Sequence, residues 1–219
     1  MCIYLEVLMV GVKNILSIMI LVIVMHNFVS ADGLKLLVGV DTQNTDSVYR
    51  SRLTKGKLER ENNEFYGYEG YIGGKLGLEY FLSRRNGVRV SIGVGYMNMR
   101  LLDKRNQFVL YSGVGVKTEA DYLFNYYCGE RFNFGAFVGA SYMNSYHTKK
   151  SEHILIHQLL AILGVNMTID SKHRLELTMG VPFFSQGFYS SDLYKNIAIN
   201  KGFNSFYYGF SYAFLFALQ

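Results

Sequence analysis

Tryptophan is missing from this 219-residue sequence, proline occurs once and cysteine twice. One cysteine, Cys2, lies at the extreme N-terminus, so Cys128 stands alone in the body of the chain and no intramolecular disulfide framework can form there. Past the N-terminus no apolar run is long enough to span a bilayer as a helix, which excludes a helical membrane bundle. The charge excess is small, +5, and dispersed, so the chain carries no nucleic-acid footprint. Aromatic weight falls entirely on Tyr (18) and Phe (16), with Gly at 22; many aromatics and glycines with few helix formers point to β structure. The length suits one domain.

The first 31 residues read as an export signal. Lys13 supplies the positive region, Ile15 to Met25 form an apolar core with a single Ser, and Val29-Ser30-Ala31 ends in small residues suited to signal peptidase. Cleavage is expected after Ala31, leaving 32–219 as the mature chain. Met9 is an alternative start. An uncleaved anchor is disfavoured because the run falls short of the ~20 residues a bilayer requires. Loss of Lys13 and Glu6 leaves 21 basic and 16 acidic residues, a mild excess that suits anionic lipid headgroups or lipopolysaccharide. Cys2 lacks the small preceding residues of a lipoprotein acylation site.

Through the mature chain the period is two. In 88–96, Val88, Val90, Ile92, Val94 and Tyr96 share one face, and Arg89, Ser91, Gly93 and Gly95 the other. In 174–181, Leu175, Leu177, Met179 and Val181 oppose Arg174, Glu176, Thr178 and Gly180. In 205–216, Phe206, Tyr208, Phe210, Tyr212, Phe214 and Phe216 oppose Tyr207, Gly209, Ser211 and Ala213. Successive strand side chains point to opposite faces, so each segment has one apolar and one polar or small face. Extending the pattern predicts strands near 33–42, 66–82, 87–100, 108–125, 131–146, 155–169, 173–183 and 204–217. Residues 152–163 could equally be drawn as an amphipathic helix; strand is preferred because Leu159, Ala161, Leu163 and Val165 alternate with Gln158, Gly164 and Asn166.

The connections alternate in length. Segments 83–87, 128–130 and 170–172 read as tight turns, 43–65 and 184–203 as long polar loops, and 101–107 and 147–153 as intermediate. Short periplasmic turns, longer outer loops and an even strand count describe an outer-membrane barrel. The expected fold is therefore all-β, an eight-stranded antiparallel transmembrane β-barrel in a Gram-negative outer membrane with loops on the cell surface. A soluble sandwich or lipocalin-like barrel alternates too, but its polar face would carry Lys, Glu and Thr throughout rather than glycines with mid-strand charges.

That second face would line the lumen. It holds Lys35, Lys75, Arg89, Lys117 and Arg174 against Asp41, Glu69, Glu79, Glu119, Asp121 and Glu176. An eight-stranded barrel is only wide enough for side chains to fill. A charge network of Lys75, Glu79, Arg89, Lys117, Glu119, Asp121, Arg174 and Glu176 is expected to plug it, with Arg89 and Arg174 reaching across the axis. No catalytic, metal or cofactor site is expected. His147, Ser151, His153 and His157 cluster in sequence, but no His-x-Ser-Asn deacylase pattern occurs, and on a strand His153 and His157 would lie ~13 Å apart. Gly93-Val-Gly95 and Gly113-Val-Gly115 lack the third glycine and following helix of a nucleotide loop.

From Gly113 to Gln219, and more loosely from Gly74, the chain resembles the C-terminal barrel of the Helicobacter outer membrane protein family. The resemblance rests on Gly113-Val-Gly-Val116, Asp121-Tyr-Leu-Phe-Asn125, Phe134-Gly-Ala-Phe-Val-Gly-Ala140, Leu163-Gly-Val-Asn166, Leu175-Glu-Leu-Thr-Met-Gly-Val-Pro182 and the closing Tyr/Phe strand. It implies a surface-exposed barrel inserted by the outer-membrane assembly machinery, in a family of adhesins and proposed porins. Residues 43–65 are too few for the large first-loop domain of the adhesins, and Ala217-Leu218-Gln219 follow the aromatic residue at which the family usually ends. A non-enzymatic structural or surface-interaction role follows, with lipids, lipopolysaccharide, the assembly machinery and a host or surface ligand as partners. A small porin-like channel and a lipid A-modifying envelope enzyme are the alternatives.

Phe206, Tyr208, Phe210, Tyr212, Phe214 and Phe216 would form the assembly signal, presenting lipid face and aromatic girdle together. Phe216→Ala, or deletion of 206–219, is expected to lower the heat-modifiable folded band in outer-membrane fractions. A Gln219 substitution should leave it unchanged; wild-type band intensity in all three would remove the signal from this strand.

Overall fold

A computed structural model describes the backbone of residues 33–55, 59–102, 108–190, 197–201 and 205–218, with side chains omitted at 47–65 and 197–201. The signal-peptide segment 1–31 lies outside the described residues. Nine strands run in order: β1 (Leu34–Lys55), β2 (Glu59–Phe81), β3 (Asn86–Leu102), β4 (Phe108–Cys128), β5 (Phe132–Lys149), β6 (Glu152–Ile169), β7 (His173–Ser190), β8 (Ile197–Lys201) and β9 (Phe206–Ala217). Every pairing is antiparallel between neighbours, and the ring closes where β9, and further along β8, inserts between β7 and β1. β8 and β9 run in the same sense along that seam and form one interrupted stave. The barrel therefore has eight staves, as the alternation implies, and 152–163 is strand.

The register fixes the shape. Stepping from partner to partner, Lys35 faces Glu79, then Arg89, Asp121, Gly139, Ile162, Gly180 and Tyr207, and the path returns to β1 at Thr45. The sheet thus closes with an offset of ten residues. With strand spacing and rise at their usual values, that offset tilts the staves by roughly 40° and sets a backbone diameter of roughly 16 Å. Side chains from facing walls meet at the axis of such a ring.

The outer wall is apolar. Val94, Val138 and Leu163 are 58 to 59 % exposed in the isolated chain, as are many of their outward neighbours to lesser degree. Aromatic residues collect in two belts: Tyr80, Phe124, Phe134, Tyr212 and Phe216 near the end with the termini, and Tyr96, Tyr142, Phe184, Phe206 and Tyr208 some ten residues further along. Two aromatic girdles flanking an aliphatic band are what a bilayer selects, since amphipathic rings sit at headgroup level. Among the described residues no helix is long and apolar enough to cross a membrane; the strands do so.

Turns at the terminal end are tight. Asp170 and Ser171 both take positive φ (49° and 57°), and Lys172 N donates to Ile169 O at 3.0 Å, a type I′ turn matched to strand twist. At the opposite end the expected loops shrink. Of residues 43–65, expected as a long polar connection, 43–55 and 59–65 are strand: β1 and β2 stay paired as far as Lys55 and Glu59. Likewise β7 continues through Ser190 into the span expected as loop, and 147–153 is a turn of Lys150 and Ser151 between Lys149 and Glu152. Beyond the bilayer both faces meet water, so pairing persists without the apolar alternation that marks a strand in sequence. Part of 184–203 and all of 103–107 lie outside the described residues. The single proline, Pro182, pairs with Leu160 beside a register shift between Leu159 and Leu160, the kind of irregularity at which a strand tolerates proline.

Inward glycines make room for long neighbours. A Cβ on Gly115 would sit 2.5 Å from Met97 Sδ, and one on Gly93 would sit 2.9 Å from the Tyr71 hydroxyl, so Met97 and Tyr71 lie flat across the facing glycines. Such contacts let a narrow ring hold large residues in the lumen.

Candidate functional site

The lumen is stratified, and the register gives the order. Nearest the termini lies a polar mouth, then a layer of ion pairs level with the aliphatic band outside. Next come Tyr71, Met97, Met143, Leu160 and Tyr207, and finally a cluster of Met99, Tyr111, Ile154 and Ile156 backed by Leu101, Val109 and Tyr189.

All eight residues expected to form a charge network point inward and are nearly fully buried. Seven ionisable groups form one chain of contacts. Asp41 pairs with Lys117, whose Nζ lies 2.9 Å from Glu119; Glu119 lies 2.7 Å from Lys75 Nζ. Lys75 is 3.6 Å from Glu176, Glu176 pairs with Arg89, and Arg89 Nε donates to Asp121 at 2.8 Å. The chain ties β1, β4, β2, β7 and β3 together. Its contact from Arg89 to Glu176 spans opposite walls, the long-reach link anticipated from the ring's width. Arg174 stands apart: its Nη1 pairs with Glu79 and its Nε donates to Thr168 Oγ1 at 3.0 Å.

Neutral groups complete the layer. Ser211 Oγ donates to Glu176 at 2.9 Å and Ser91 Oγ to Glu119 at 3.3 Å. The Arg89 guanidinium lies 4.9 Å from the centre of the Phe137 ring, and Lys117 Nζ 5.6 Å from that of Tyr71. β5 and β6 bring apolar weight here instead of charge. The sequence places Ser91 and Ser211 on the inner face by parity, but nothing in it names their carboxylate partners, because those depend on the ten-residue offset. Thr168 and the pairing of Arg174 with Glu79 are invisible for the same reason.

This arrangement holds walls together and fills space. Charges removed from water lose several kcal/mol of solvation each, and close pairing offsets that loss without adding much net stability.

The residues weighed for catalysis do not converge. His147 is buried inside the lumen, with Nε2 3.2 Å from Ser145 Oγ, while Ser151 is exposed in the turn. His153 and His157 point outward, sharing hydrogen bonds of 2.9 Å with the hydroxyls of Tyr146 and Tyr142 and stacking on those rings. His173 pairs with Tyr212 in the same way at 2.8 Å near the other belt. These are girdle contacts. Among the described residues no group of His, Cys, Asp and Glu could hold a metal ion. The six aromatic residues of 206–216 lie on the outer face of β9, closing the ring against β1.

A closed ring of eight staves, apolar outside with two aromatic belts and charged within, is a transmembrane barrel of the Gram-negative outer membrane. No family model and no curated protein matches the sequence. Among solved structures, it is similar to the outer membrane protein OprG from Pseudomonas aeruginosa, with a TM-score of 0.58 at 8 % identity over 85 % of this chain and 98 % of that one. Lower similarity links it to Ail, the attachment invasion locus protein of Yersinia pestis (TM-score 0.36, 12 % identity, 84 % and 99 % covered), and to Neisserial surface protein A (0.34, 7 %, 80 % and 95 %). The OprG likeness is one of fold.

Removing one partner of a buried pair leaves the other charge stranded, at a cost of about 3 to 5 kcal/mol. Arg174→Ala is therefore expected to destabilise the barrel by that order in urea unfolding from lipid vesicles, and Arg174→Ala with Glu79→Gln by clearly less. Equal losses in the single and double variants would mean that the two side chains are not coupled.

Proposed function

We propose that this chain is a structural or surface-interaction barrel whose contact surface is the far end of the staves, with a lumen closed by paired charges. The observation that carries this reading is the filled interior. A continuous ionic chain spans the wall-to-wall distance, and an apolar cluster closes the lumen beyond it.

Other features support the same assignment. β1 and β2 remain paired about ten residues past the upper aromatic belt, a projection of roughly 25 Å along the tilted axis. The sequence of that hairpin carries Arg50, Arg52, Lys55, Lys57 and Arg60 among Asp46, Glu59, Glu61 and Glu64, a mixed set suited to lipopolysaccharide phosphates or a host or surface ligand. The short turns and both described termini share the opposite end, which would be periplasmic. Export by the N-terminal signal, insertion by the outer-membrane assembly machinery through the aromatic last strand, and membership of the Helicobacter family that the sequence resembles belong to the same proposal. No nucleic-acid partner and no catalytic role are part of it.

Orientation is tested at cysteine. Cys128, exposed beside a tight turn, is expected to resist a membrane-impermeant maleimide in intact cells and to react after lysis. Ser151→Cys in a Cys128→Ser background should be labelled in intact cells; the reverse pattern would invert the topology.

The filled lumen is tested by current. Purified wild-type protein in a planar bilayer is expected to show little steady conductance. A large, stable ion current would remove the plugged-lumen reading and promote the small channel.

A further inference from the structure

The polar mouth at the terminal end differs from the rest of the lumen in its charge balance. A cavity of about 190 Å³ opens there, lined by Lys35, Arg84, Asn125, Asn133, Thr168 and Arg174, together with Phe81 and Ser83. Three of its lining residues are cationic and none carries a carboxylate. Arg174 is already balanced by Glu79 and held by Thr168. Lys35 and Arg84 make no ion pair among the described residues; Lys35 Nζ only approaches the Phe81 ring, at 6.0 Å. The lining therefore carries two positive charges with no ion-pair partner among the described residues, beside one guanidinium balanced by Glu79.

One inward position deeper along β6 from Thr168, behind the cavity and not in its lining, Asn166 is 4 % exposed, and neither atom of its amide has a hydrogen-bond partner among the described residues. Buried polar groups are rarely left so, because each costs the desolvation of an unmade bond. Donors from two asparagines, a threonine and an arginine, around a space large enough for a tetrahedral ion and several waters, describe a recognisable recognition chemistry.

We propose that this mouth is a binding site for a phosphoryl oxyanion. Two unbalanced cations match the charge of a phosphate dianion. Lys35 and Arg84 supply point charge, the Arg174 guanidinium adds its positive charge while Nη1 and Nε stay on Glu79 and Thr168, and Asn125 and Asn133 supply neutral donors. The layer behind it cannot serve, since its carboxylates already occupy its cations. Arg85, next to Arg84 but outside the lining, and Arg131, paired with Asp170 at 3.3 Å, belong to the general surface of the same end.

The test titrates inorganic phosphate into the purified full-length barrel, held in a sugar-headgroup detergent free of phosphate at low salt, by calorimetry and by phosphorus NMR line width. Saturable binding of one phosphate is expected. Lys35→Gln with Arg84→Gln should weaken it by at least about tenfold, the loss of a charge-assisted contact, whereas Arg85→Gln should leave it within about twofold. Arg84→Gln alone, in an exposed turn, gives a variant whose folding is not at stake, and the heat-modifiable band verifies each protein. Displacement of bound phosphate by phosphatidylglycerol in mixed micelles would assign the site to a lipid headgroup, and displacement by glycerol phosphate alone to a soluble phosphate ester; both support the site. Absence of saturation in the millimolar range overturns it. So does equal weakening by Arg85→Gln, which would reduce the effect to diffuse surface charge.

Discussion

Because eight staves return to themselves with an offset of ten residues, the lumen is too narrow for any inward side chain to ignore its opposite. Everything inside depends on that width. Arg89 on β3 reaches Glu176 on β7 because the walls are only two long side chains apart, and Tyr71 and Met97 find room only by lying over Gly93 and Gly115. A wider ring would let water between the charges and weaken each contact; a narrower one would expel them.

The membrane inverts the usual logic of packing. Lipid tails are as apolar as the valines and leucines they touch, so the outer face needs only to be apolar in the band and aromatic at its edges. Many sequences meet that demand. The inner face carries the specificity: among the described residues ten buried Asp, Glu, Lys and Arg side chains share one tube, and each must sit where its partner can reach it. The likeness to OprG at 8 % identity fits this division, since a common fold requires the alternation and not particular residues.

Parity was therefore legible in the sequence and partnership was not. The face of Arg89, Glu176 or Ser211 follows from counting by two, and stave number follows from the turns. Which groups meet follows from the offset, a property of closure that no single segment displays. Where the bilayer ends, even parity fades: residues 43–65 look like a loop because their sequence is polar without apolar alternation, yet β1 and β2 pair through most of them. The turn of Lys150 and Ser151 was hidden by the same polar surroundings. The segment 152–163 could be drawn as an amphipathic helix or a strand from its sequence; it is strand, with His153 and His157 on its outer face resting against tyrosines.

The order of layers along the lumen has a mechanical consequence. Ladder hydrogen bonds connect each stave only to its neighbours, so a ring held by them alone could flatten or open at the seam between β7 and β1. The contacts from Lys75 to Glu176 and from Arg89 to Glu176 tie β7 to β2 and β3 across the interior, and Lys117 ties β4 to β1. Both staves that flank the seam are thus anchored to the far wall. β9, which fills the seam, is itself held to that chain by Ser211 on Glu176. The buried charges add little net stability as pairs, but their placement resists the one deformation that the ladder cannot, and so makes closure of the last strand and assembly of the lumen a single event.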